Sequence, residues 1–188
     1  MARLPDVDPK ASTEIADAFK RTEASRGFVS NLMRTMAHSP DALRAHAAYG
    51  HHLRFETDLT ELQRELAICA TVRGVRYAWL HHGGLLRQLG MTDDQMAALH
   101  DGKVPAGLSA ADAALCAFIF AYASCRGVPD AVLAELRKRF SDRQVIDLAL
   151  LSSYYLGGGA VITAFEPELE TPAQLQLELD WQKKRLHG

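Results

Sequence analysis

Residues 60–90 read TELQRELAICATVRGVRYAWLHHGGLLRQLG, and they read as two helices joined at a glycine. Thr60 and Gln63 have the S/T-x-x-E/Q spacing in which hydroxyl and amide satisfy each other's orphan backbone N–H groups, so a helix begins there. Leu62, Leu66, Cys69 and Val72 then share one face, and Gly74 stops the run. A second helix is predicted from about Val75 to Leu89, ended by Gly90. In it Val75, Trp79, His82, Leu86 and Leu89 fall at offsets 0, 4, 7, 11 and 14, a single stripe expected to be buried. Tyr77 and His81 stand four apart on its flank, above Leu85 and Gln88.

The same spacing extends along the chain, and no alternating strand run interrupts it. Ser12 or Thr13 caps a first helix to about Ala24, with Gly27 beyond it. A short apolar piece, Phe28 to Met36, follows. Ser39-Pro40-Asp41 opens a helix to about Phe55, with Pro in the first turn where its missing N–H costs nothing. Thr92-Asp93-Asp94 starts a short one, Ser109 another through Ala123, Pro129 another to Phe140, and Ser141-Asp142 a long one to about Ala164. The run Gly157-Gly158-Gly159 marks close helix packing or a kink in that helix. After Pro167 and Pro172, Ala173 to Leu186 forms a polar last helix. The expectation is an all-α fold of about eight to ten helices, one domain over residues 1–188, with 1–25 and 166–188 as peripheral helical extensions.

A chain of 188 residues at 48% hydrophobic content supports one domain with a real core. Its 21 basic and 23 acidic residues leave a net charge of -2, so no broad positive field exists for nucleic acid or an anionic membrane. Cys69, Cys116 and Cys125 are odd in number and lack C-x-x-C spacing, which speaks against a disulfide framework, a zinc site and a dithiol redox pair. The start of the sequence has no apolar leader segment, and its most apolar stretches are read as broken before 18 residues, so a cytoplasmic location is expected.

Chemistry concentrates around the hairpin. Glu65, Cys69 and Val72 share one stripe, so Glu65 can point inward, where a carboxylate needs a partner or a proton. It can equally be a helix-dipole residue near the start of an apolar helix. His82 falls on the apolar face, either as a satisfied core histidine or as Glu65's partner in an acid/base pair across the hairpin. Arg73 and Arg76 flank Gly74, as solvated cations or as a bidentate anchor for a carboxylate. Of His51 and His52 at most one can join a core site, and no H-x-x-x-H, H-E-x-x-H or E-x-x-H spacing occurs, so no metal is expected. Cys69 reads as a small core residue rather than a nucleophile. The Gly157 to Gly159 run lacks the spacing of a nucleotide-binding loop.

These residues carry a resemblance. Arg64-Glu65-Leu66-Ala67-Ile68, Gly74, Tyr77-Ala78-Trp79-Leu80-His81-His82 and Leu89-Gly90-Met91-Thr92-Asp93-Asp94-Gln95-Met96-Ala97-Ala98-Leu99 resemble the carboxymuconolactone decarboxylase family of the AhpD-like group. Gly27 to Arg34 and Ala37-His38-Ser39-Pro40 resemble its entry segment, and the likeness runs from about residue 26 to 165. The resemblance implies an all-helical fold assembling as trimers or hexamers, with active sites near subunit contacts. Glu65 and His82 match the family's acid and histidine, and Tyr77 and Trp79 its aromatic pair. Ala78 stands where the family often has Glu. The peroxidase branch carries C-x-x-C before the histidine, and residues 74–77 hold no cysteine, so disulfide-based peroxide reduction has no resolving thiol.

The resemblance then implies a decarboxylase or related lyase acting without a cofactor on a small carboxylated lactone or cyclic acid. Arg73 or Arg76 would hold the carboxylate, with Trp79 also counted among the substrate-binding residues. Tyr77 or His81 would donate to the enolate oxygen, and His82 with Glu65 would handle the proton. Two alternatives stand beside it: an AhpD-like thiol-dependent redox enzyme, for which Cys69 is the candidate, and a noncatalytic oligomeric binding protein on the same scaffold.

Overall fold

The computed structural model describes residues 2–187, the side chains of residues 25, 26, 186 and 187 excepted. Among these residues all regular structure is helical: α1 (Thr13–Arg26), α2 (Asn31–Met36), α3 (Pro40–Phe55), α4 (Glu61–Val72), α5 (Arg76–Gln88), α6 (Asp93–His100), α7 (Ala110–Ala123), α8 (Asp130–Arg137), α9 (Asp142–Phe165) and α10 (Pro172–His187). The boundaries follow local chemistry. Ser12, Ser30 and Ser109 accept from backbone N–H groups in the first turns of α1, α2 and α7. Thr60 with Gln63 and Thr92 with Gln95 form complete capping boxes on α4 and α6. Each such cap contributes about 1 kcal/mol.

The chain divides into two compact units, residues 1–52 with 161–188, and residues 53–160. In the first, Ile15, Ala18, Phe19, Met33, Ala37 and Leu43 form a buried apolar cluster. Gly27 closes α1 at φ 84°, and a Cβ built there would lie 2.8 Å from Trp181 Cβ, so only glycine fits that turn beside α10. The polar α10 packs on α1, and its Glu178 and Gln182 are buried. Glu170 reaches the start of α2, where its Oε1 accepts from Asn31 N at 2.7 Å.

In the second unit α4 is the central element, with every residue from Arg64 to Val72 buried, and it packs against α5, α6 and α7. α9 supplies buried Leu148, Leu151, Ser152, Tyr154 and Tyr155 to the same unit. Thr71 donates to Ala67 O at 2.8 Å and lies 2.8 Å from Ser152 Oγ, so the Ser152 hydroxyl donates to Thr71. The glycine run does not break α9, which is continuous from Asp142 to Phe165. Gly159 instead packs beside the end of the hairpin, where a Cβ would touch Val75 Cγ2 at 3.4 Å. By length and composition α9 could cross a membrane, contrary to the expectation of short apolar stretches, and half of that stretch is buried within the protein.

Candidate active site

The hairpin forms as its spacing predicts. α4 ends at Val72, the Val75 N–H donates to Val72 O at 2.7 Å, and α5 begins at Arg76. This return brings Glu65 of α4 against His82 of α5, with Nδ1 of His82 2.7 Å from Glu65 Oε2. The Glu65 and His82 side chains are only 1% and 8% exposed, so this pair is shielded from bulk water.

Sequence reasoning missed a third member. Arg54, at the end of α3, places Nη2 3.5 Å from the other Glu65 oxygen, and its side chain is 2% exposed. Its guanidinium also stands 5.0 Å from the centre of the Phe55 ring. A carboxylate buried alone would be strongly disfavoured, and the guanidinium opposite it supplies the compensating charge. The signal for Arg54 was its period: Leu43, Gly50 and Arg54 recur at helical spacing on α3 and are all buried. What periodicity could not supply was the partner, which lies in another helix. Tyr155 was missed for the same reason. Its ring meets His82 edge-on, 5.0 Å between centroids at 88°, and Tyr154 stands beside it at 5.3 Å.

The remaining expected site residues lie on the same hairpin. Tyr77 and His81 are both buried, their rings 4.8 Å apart and tilted by 31°. Trp79 is half-buried and packs edge-on against His100 at 4.9 Å. The buried band of α5 is therefore Tyr77, Ala78, His81, His82, Gly83, Leu85 and Leu86, rotated from the stripe expected through Val75, Trp79 and Leu89, which are half-buried. The rotation has a physical cause: Trp79 turns toward α6, while Val75 sits at the hairpin end against Gly159.

Arg73 is half-buried, its guanidinium 5.6 Å from the centre of the Phe120 ring and Nη1 donating to Ala70 O at 3.4 Å. Arg76 is exposed in the first turn of α5. Cys69, one turn beyond Glu65, is fully buried, and burial followed by the Glu65 charge pushes its thiol well above the ordinary range. His51 is half-buried and His52 exposed, both on α3 within the first unit. Among the described residues no group of three His, Cys, Asp or Glu side chains is arranged as a metal site.

The chemistry of the central pair follows from its donors and acceptors. An ionised carboxylate only accepts, so beside a Glu65 carboxylate the His82 proton resides on Nδ1 and Nε2 is left as the basic nitrogen. Glu65 then orients the ring and stabilises the imidazolium when Nε2 gains a proton. A carboxylate and an imidazole so arranged, on one helical hairpin with an arginine beside them, have the chemistry that proton transfer requires.

The ten helices among the described residues, with the carboxylate–histidine hairpin buried in the second unit, have the AhpD-like fold. The fold is shared with a Ralstonia eutropha JMP134 protein described as an alkylhydroperoxidase AhpD core, an uncharacterized peroxidase-related protein, at 23% identity and TM-score 0.76 over 90% of this chain and 92% of that one. A peroxidase-related protein from Silicibacter sp. TM1040 gives the same figures, 23% identity, TM-score 0.76, and 90% and 92% coverage. The debrominase Bmp8, in a complex with 2,3,4-tribromopyrrole, matches at 18% identity and TM-score 0.73 over 93% and 94% of the two chains. No protein-family model matches the chain, and no curated protein matches its sequence.

Proposed function

We propose that this chain is a cofactor-independent lyase, a decarboxylase of a small carboxylated lactone or related cyclic acid, with His82 as its proton relay. The observation that carries the reading is the 2.7 Å contact of buried Glu65 with His82 Nδ1, which leaves Nε2 for chemistry. The bond to the departing carboxyl group breaks, its electron pair moves into the lactone carbonyl as an enolate, and carbon dioxide leaves. A proton that Nε2 takes from solvent is passed to carbon, and Glu65 stabilises the intervening imidazolium. Tyr77 or His81 donates to the enolate oxygen. Arg76, exposed at the start of α5, or Arg73 holds a substrate carboxylate. The protein acts in the cytoplasm as a trimer or hexamer. The direct test is carbon dioxide release from a panel of small carboxylated lactones, with His82→Gln as the comparison.

A second reading has its own support in the peroxidase-related neighbours: a thiol-dependent redox enzyme on the same fold. Against Cys69 as its nucleophile stands the burial that keeps the thiol protonated. Substitution separates the two readings, since Cys69 is buried where an alkylating reagent does not reach it. Full activity of Cys69→Ala supports the lyase, whereas loss of a peroxidase activity in Cys69→Ala supports the redox enzyme.

A further inference from the structure

We propose that the first unit holds a ligand site of its own, an apolar pocket between α2, α3 and the end of α9 that takes a small uncharged molecule with an aromatic or aliphatic body. The pocket has a volume of about 380 Å³, and every residue lining it belongs to the unit of residues 1–52 with 161–188. It shares no residue with the Glu65–His82 hairpin, so the inference does not depend on the lyase reading. Its walls follow from helical period. Ala42, Leu43 and His46 line it from one face of α3, and Val161 and Phe165, four apart, add the last turns of α9. Met36 of α2 and Val161 are half-buried and Phe165 is 37% exposed, so apolar surface stays open there.

The remaining wall is a strap of residues 3–5, tied at both ends. The Arg3 N–H donates to Phe165 O at 3.0 Å and Nη1 to Ala164 O at 3.0 Å, taking up carbonyls that a helix end leaves without intrahelical partners. Its Nη2 pairs with Glu166 Oε1 at 2.5 Å. At the other end Pro5 O accepts from His38 Nε2 at 3.0 Å. Leu4 stands between these anchors and lines the pocket, so the strap presents an apolar side chain to it. Size and charge then select the ligand. The volume lies in the range of small-molecule sites and equals the space of about a dozen waters at roughly 30 Å³ each. No Lys, Arg, Asp or Glu lines the pocket, and Arg3 and Glu166 of the strap region neutralise each other. An ion entering would lose water without gaining a counter-charge, whereas an uncharged apolar body releases water from apolar walls. Thr35 is the polar group that can orient it: its hydroxyl donates to Asn31 O at 3.0 Å and is left to accept from a ligand O–H.

The test is calorimetric titration of the full chain at neutral pH with 2-naphthol and 1-decanol, and with 2-naphthoate as the anion of matching shape. Saturable binding of an uncharged probe is expected, with 2-naphthoate weaker than 2-naphthol by about tenfold or more. Ala42→Trp fills the pocket from an exposed position on α3 and should weaken the uncharged probe by about tenfold or more. Leu4→Ala, which thins the strap wall, should weaken it less. If Ala42→Trp does not fold, Val161→Trp takes its place. His82→Gln should bind the probe as wild type does, whatever becomes of its turnover. No saturable binding of either uncharged probe, unchanged affinity in the folded pocket-filling variant, or equal affinity for 2-naphthoate overturns the proposal. Loss of binding in His82→Gln places the probe at the hairpin and overturns it too. If wild type binds no probe and Ala42→Trp lowers the mass in light scattering, a second copy of the chain covers the pocket instead.

Discussion

At the scale of single residues, the sequence made Glu65 and His82 legible and left Arg54 invisible. The first two sit in one hairpin, where helical period and a stop at Gly74 determine which side chains can meet. Arg54 reaches Glu65 from α3, and no local rule links an arginine to a carboxylate eleven residues along the chain and in a different helix. Its importance gives Glu65→Gln two effects. Removing the negative charge breaks the buried ion pair with Arg54, so stability in denaturant should fall by about 3–5 kcal/mol. Turnover should fall on the order of 10² or more, because the amide no longer stabilises an imidazolium.

A second residue-scale prediction concerns Cys116, whose thiol is pushed up to about 12, first by burial and then by the Asp112 charge. The folded state therefore keeps this proton after the unfolded chain has lost it. Stability is undiminished below the ordinary thiol value and declines as pH rises from there toward the folded value. Equilibrium unfolding of Cys116→Ala should accordingly lose stability less steeply than wild type above about pH 9, by up to about 1.4 kcal/mol per pH unit. Parallel pH slopes would exclude this contribution.

Among the elements, helix starts were the most legible feature, because a capping side chain and its backbone partner lie within a few residues of each other. Thr60 with Gln63 and the Ser109 cap stand where their spacing placed them. The rotation of α5 was not legible, since which flank of a helix is buried depends on the neighbours it meets, here α6 through His100 and α9 through Gly159. The glycine run of α9 illustrates the same limit: sequence offered a kink or close packing, and only the placement of Val75 distinguishes them. It also separates the glycines from each other. Gly157 is exposed with open space where a Cβ would stand, so Gly157→Ala should stabilise the protein by about 0.5–1 kcal/mol. Gly159→Leu, forced against Val75, should instead cost about 1–3 kcal/mol in a chemical denaturation series.

For the whole molecule, the all-helical class followed from the spacing of apolar residues, whereas the division into residues 53–160 and the remainder did not. That boundary falls inside α3 and α9, and a helix crossing it carries no turn or linker for sequence to reveal. Assembly belongs to this scale too. Ile146 and Leu150 expose apolar side chains one turn apart on α9, consistent with the expected trimer or hexamer. Light scattering at micromolar concentration should return three or six times the 20.7 kDa chain mass, and a monomeric mass would contradict the assembly.

On the proposed reading the buried Glu65–His82 pair performs proton transfer during loss of carbon dioxide. Carbon dioxide release from small carboxylated lactones and cyclic acids, measured for wild-type protein and a folded His82→Gln variant, tests it most directly. Wild type should turn over at least one such acid, and His82→Gln should do so slower by on the order of 10² or more. No release from any acid by the wild-type protein, or equal release by the variant, would contradict it.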